Sequence, residues 1–73
     1  MNELIDYYRS QGAPQDQQML IALLREVQEQ NGGALTSAAL HEIADALGVK
    51  ENMLAALIRR VPSLRMDTAP HLL

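Results

Sequence analysis

Few side chains in this chain of 73 residues have the type and spacing to do chemistry. His41 and Asp45 stand one helical turn apart with Glu42 beside them, and an imidazole and a carboxylate at that spacing can share a divalent metal. No further histidine is at hand in sequence, so the three read first as a solvated helix face. His71, the other histidine, has no partner near it. Glu3 and Asp6 are better explained as helix-end charges than as an acid–base pair. Met19, Met53 and Met66 are core fillers before they are a partner-binding surface. The chain has no cysteine, which excludes disulfides and thiolate metal sites within these residues. No catalytic, cofactor-binding or metal-binding residue is assigned, and the chain is not read as an enzyme by itself.

The elements that would position these groups are helices. Between Leu35 and Val61 two apolar stripes recur at helical spacing, Leu40, Ile43, Ala44 and Leu47 in the first and Leu54, Leu57, Ile58 and Val61 in the second. Gly48 separates them, where a residue tolerant of positive φ ends a helix, and Val49 is expected as a buried plug behind it. Thr36 can cap the first of these helices, with Leu35 as a hydrophobic staple on Leu40. Lys50 is a poor cap for the second, and Pro62 stops it. Upstream, Met19, Leu20, Leu23, Leu24 and Val27 form a third stripe, opposed by Gln18, Arg25, Glu26 and Gln28. That helix is expected over residues 15–30, with Pro14 in its first turn and Asn31-Gly32-Gly33 as its stop. Residues 2–10 can add a short helix with Leu4, Ile5 and Tyr8 on one face and Tyr7 and Arg9 toward solvent. Nine residues are marginal alone, so this helix forms only if it docks.

The expected fold is therefore all-α, a small three-helix bundle over residues 14–62. An N-terminal segment, residues 1–13, supplies the short extra helix, and residues 63–73 form a tail without helical period. An 8.1 kDa chain buries only about 60% of its unfolded surface, and the 48% apolar content is almost free of aromatic residues. Modest stability follows. The net charge of −3 is uneven. Glu3, Asp6, Asp16, Glu26 and Glu29 outnumber Arg9 and Arg25 in the first half, whereas acids and bases balance after residue 36. Such a chain gains no long-range attraction to phosphate polymers. It has no apolar run of about 20 residues and no secretory signal, so a soluble, cytoplasmic protein without membrane insertion is expected.

The stretch from Leu35 to Val61 also meets the steric demands of a DNA-binding helix-turn-helix, with Ala44, Gly48, Val49, Leu54 and Leu57 at suitable spacing. Its second helix would present Lys50, Asn52, Arg59 and Arg60. A reading helix works mainly through its N-terminal residues, and there Glu51 faces phosphates unfavourably. Arg59 and Arg60 complement the negative end of the helix dipole. DNA reading is thus the alternative function, and specific nucleic-acid binding is not expected.

The order of these pieces resembles the helical N-terminal region of the small [2Fe–2S] thioredoxin-like subunit of NADH:quinone oxidoreductase (complex I) and of related NAD-linked hydrogenases. The resemblance spans about residues 19–58 and continues more faintly to Pro70. It rests on the Leu-rich helix running into Gln28-Glu29-Gln30-Asn31-Gly32-Gly33, the capped helix containing Ile43-Ala44, and the Leu47-Gly48-Val49 turn. Where that family places aromatic residues at the end of the third helix this chain has Arg60, Val61 and Leu64, which points toward a hydrogenase-type or other soluble NAD-linked relative. The resemblance implies a docking and support role in an electron-transfer subunit of an NAD(P)H-linked oxidoreductase or hydrogenase. It implies two partners, a thioredoxin-like [2Fe–2S] domain in the same polypeptide and a flavin- and NADH-binding subunit. The cluster itself would be held by cysteines beyond a strand that His71-Leu72-Leu73 begins, so residues 63–73 would lead toward a following domain.

Overall fold

The computed structural model describes residues 2–67. Four helices follow one another in it: α1 (Asn2–Ser10), α2 (Gln17–Gln30), α3 (Ser37–Leu47) and α4 (Glu51–Arg60). The architecture is all-α, a small helical bundle in which the short N-terminal helix is a full member. α1 packs against both α2 and α3, and α3 packs against α4. Ile5 is 1% exposed and Leu4 and Tyr8 lie against the core, while Tyr7 remains in solvent. Docking is what makes nine residues helical, as propensity alone would not. Arg9 is exposed, yet it does more than face water: its guanidinium donates to the Ala46 carbonyl near the negative end of α3.

The start of α2 corrects the expectation of a helix over residues 15–30. Pro14 follows a cis peptide bond in the connector, and Asp16 is the cap rather than a first-turn residue. Its backbone is extended at ψ 107°, and its carboxylate accepts from the amides of Gln18 and Met19 at 3.0 and 3.3 Å. Holding those two otherwise unpaired donors fixes the first helical residue at Gln17. At the other end the Gly33 amide donates to the Gln28 carbonyl at 2.9 Å and the Gly32 amide to the Glu29 carbonyl at 3.2 Å. This is the Schellman pattern, with Gly32 at φ +85°.

α3 is built as its sequence requires. The Thr36 hydroxyl accepts from the Ala39 amide at 3.1 Å, and Gly48 ends the helix at φ +73°. Val49 donates to the Ala44 carbonyl at 3.0 Å, a second Schellman closure. Val49 is half-buried against the core rather than fully enclosed. α4 begins at Lys50, which makes no side-chain cap bond.

The core runs through all four helices, with Leu23, Leu24, Leu35, Ile43 and Leu54 without measurable exposure. Each such side chain contributes roughly 1.5–3 kcal/mol by leaving water. The packed unit also extends past residue 62. Leu64 is 5% exposed, and residues 65–67 pair with Leu35 in a single parallel bridge. The Leu35 amide donates to the Arg65 carbonyl at 2.8 Å, and the Asp67 amide to the Leu35 carbonyl at 2.6 Å. Leu35 is thus a core residue and a bridge residue at once. The expected strand start at His71-Leu72-Leu73 lies outside the described residues.

Candidate functional site

The residues singled out for chemistry are scattered over the bundle surface. His41 and Glu42 are exposed on α3, and the imidazole Nδ1 of His41 meets the Glu51 carboxylate of α4 at 3.1 Å rather than Asp45. Both side chains of that pair are well exposed, at 74% and 43%, so the contact is weak and solvent-screened. Among the described residues no group of three or more His, Cys, Asp or Glu side chains is placed to hold a metal ion. Asp6 faces Arg9 on its own helix at 3.9 Å, and Glu3 lies in the first turn of α1. His71 lies outside the described residues. No described helix is long and apolar enough to cross a membrane.

The α3–Gly48–α4 corner has the form of a helix-turn-helix. Ala44 is 4% exposed where the two helices meet, and Leu54 and Leu57 clamp the pair at 0% and 4%. Lys50 and Asn52 are exposed at the start of α4, and Arg59 and Arg60 are exposed at its end. Glu51, turned toward His41, places a carboxylate between Lys50 and Asn52. Met53 is 41% exposed, which corrects its reading as a core filler: it sits one residue before the buried Leu54, at the rim of a cleft between α4 and Pro14, Gln17 and Leu20. Met19 and Met66 are half-buried.

Two features were hidden in the sequence. The first is Gln28, expected on the polar face of α2 but only 8% exposed. Its Nε2 donates to the Ser63 carbonyl at 2.8 Å, and its Oε1 accepts from the Arg65 amide at 2.8 Å. A carboxamide that both donates to and accepts from a backbone acts as a neighbouring strand would. Segment 63–67 is therefore pinned by Gln28 at Ser63 and Arg65 and by Leu35 at Arg65 and Asp67. Arg25, one turn earlier on α2, donates to the Ser63 hydroxyl at 2.8 Å.

The second feature is a groove of about 430 Å³ that this pinned segment creates with α4, lined by Ala55, Ile58, Val61, Pro62, Leu64 and Met66 and rimmed by Arg59 and Arg65. Ile58 and Leu64 form its floor, whereas Ala55, Val61 and Met66 are half-buried walls. The α4 periodicity predicted the first wall. The second comes from a segment without period, so only its apolar residues hinted at it.

Away from the groove, the Tyr8 hydroxyl donates to Glu26 at 2.8 Å and ties α1 to α2. Donating to that carboxylate holds the Tyr8 pKa above its ordinary value, helped by partial burial and by the negative charge of Glu26. No family model matches the chain, and no curated protein or solved structure matches it either.

Proposed function

We propose that this chain is the helical N-terminal part of a [2Fe–2S] electron-transfer subunit of an NAD(P)H-linked oxidoreductase or hydrogenase, serving docking and support rather than chemistry. The resemblance of residues 19–58 to that family supports this reading. The observation that carries it is the job done by the residues of the resemblance. Asn31-Gly32-Gly33 closes α2, Ile43 and Ala44 are core, Gly48 turns the chain into α4, and Gln28 pins segment 63–65 against the bundle. Residues that shape a scaffold, with no reactive group among them, suit a supporting role. The 73 residues contain no cysteine and do not fit the cluster, so its ligands would belong to the thioredoxin-like domain that the resemblance implies. The second implied partner is a flavin- and NADH-binding subunit.

Native capture with the chain as bait tests this directly. The expected eluate contains iron, acid-labile sulfide and flavin, and it reduces an artificial acceptor with NADH. An eluate of stable partners lacking both iron and flavin overturns the assignment.

The α3–α4 corner, with Lys50 and Asn52 in solvent, favours the alternative of a helix-turn-helix DNA-binding module of a transcription regulator. The net charge of −3 and Glu51 at the head of α4 oppose it. Specific readers reach affinities of roughly 10⁻⁸ M or tighter. Titration against a randomised duplex pool at about 150 mM salt is expected to select no consensus. A nanomolar site lost on Lys50→Ala or Asn52→Ala would replace the electron-transfer reading.

A further inference from the structure

The groove between α4 and residues 61–66 has an apolar floor, two guanidinium groups on its rim, and no carboxylate among its lining residues. In a chain with a net charge of −3 this is a local reversal of sign. A volume of about 430 Å³ falls within the roughly 300–1,000 Å³ of clefts that take up ligands. The floor is rigid, because Ile58 is on α4 and Leu64 is held between the two bonds of Gln28. Apolar grooves of this form receive the apolar face of an amphipathic segment. Guanidinium groups on the rim select carboxylates, which they can grip through two parallel N–H bonds.

We propose that this groove docks an acidic amphipathic polypeptide segment, whose apolar side chains enter between Ile58, Val61, Leu64 and Met66 while flanking Asp or Glu side chains pair with Arg59 and Arg65. The docking stands on the groove alone and does not depend on the electron-transfer reading. Charge decides who binds, and the apolar floor decides where.

The test uses the full chain and three labelled 16-residue peptides: an acidic amphipathic helix former with Leu anchors, the same peptide with Lys for every Asp and Glu, and an acidic peptide with Gln for every Leu. The acidic amphipathic peptide is expected to bind, with chemical-shift changes at Ala55, Ile58, Leu64 and Met66, and the other two to bind at least about tenfold more weakly. The double variant R59E/R65E changes two exposed side chains and is expected to keep the helical circular dichroism signal. It should reverse the preference toward the lysine peptide. Equal binding of the acidic and lysine peptides, equal binding of the Leu and Gln peptides, or shift changes elsewhere on the bundle would each overturn the proposal. So would the absence of binding at millimolar peptide. Light scattering completes the test: a dimer that survives R59E/R65E and blocks the peptide would give the groove to a second copy of the chain.

Discussion

Replacing Gln28 by glutamate separates two explanations of its burial, packing of an aliphatic stem or recognition of a backbone. The amide orientation is dictated by its partners, since the Arg65 N–H can only donate and the Ser63 carbonyl can only accept. Glutamate keeps the stem and keeps an acceptor for Arg65. It also sets a carboxylate oxygen against the Ser63 carbonyl oxygen, at a separation of 2.8 Å in the native pair, and puts a charge into a site 8% exposed. Truncation by Gln28→Ala removes two hydrogen bonds of about 0.5–1.5 kcal/mol each, a loss of about 1–3 kcal/mol. Gln28→Glu is expected to cost at least as much at pH 7, about 2–3 kcal/mol, because a lost donor is joined by an opposed charge. For a domain of this size that lowers Tm by roughly 8–24 °C. Acid should partly rescue this variant, since a protonated carboxyl can donate to Ser63. Its pKa in the fold is thereby raised above the unfolded value of about 4.3. The contribution is fully present below that unfolded pKa and is lost as pH rises through the folded one. Thermal or urea unfolding of Gln28→Glu and the parent chain, compared at each pH, should show a gap that narrows from pH 7 to pH 4. Hydrogen exchange should find the Arg65 amide less protected in Gln28→Ala. A Gln28→Glu chain as stable as the parent at pH 7, or a gap equal at both pH values, would refute the strand-like role.

Gly48→Val is expected to cost at least about 1 kcal/mol, because φ is +73° there. Nothing lies within 4 Å of an added Cβ, so Gly48→Asn, which tolerates this region, should cost measurably less in urea midpoint. Asp16→Ala and Thr36→Ala each remove a cap seen in the structure and should lower stability by about 1 kcal/mol. With the Tyr8 pKa raised by Glu26, the bond between α1 and α2 contributes fully below the unfolded tyrosine pKa of about 10 and is lost as pH rises through the higher folded value. Stability against pH should therefore fall less steeply in Tyr8→Phe than in the parent at alkaline pH, a difference read from paired urea titrations.

What was legible in the sequence is local. Apolar spacing marks α2, α3 and α4, and the Thr36 cap and the positive φ of Gly48 depend on residues within one turn of each other. Such features follow from sterics and nearby donors, which a string of residues displays. Even the short α1 shows its buried face through Leu4, Ile5 and Tyr8, although its docking had to come from elsewhere. The sequence places the start of α2 two residues early, because a carboxylate at the positive helix end is favourable both as cap and within the first turn, and only the extended backbone of Asp16 distinguishes them.

Tertiary structure decided the rest. Gln28 is polar and falls on the polar side of its helix, so periodicity assigns it to solvent. Its burial follows from partners 35 and 37 residues away. Residues 63–67 carry no period because they are neither helix nor sheet, and they acquire shape by bonding to Gln28, Arg25 and Leu35 and by burying Leu64. The groove rimmed by Arg59 and Arg65 exists for the same reason: one wall is a helix that the sequence predicts, and the other is a segment whose place is set by contacts between distant parts of the chain.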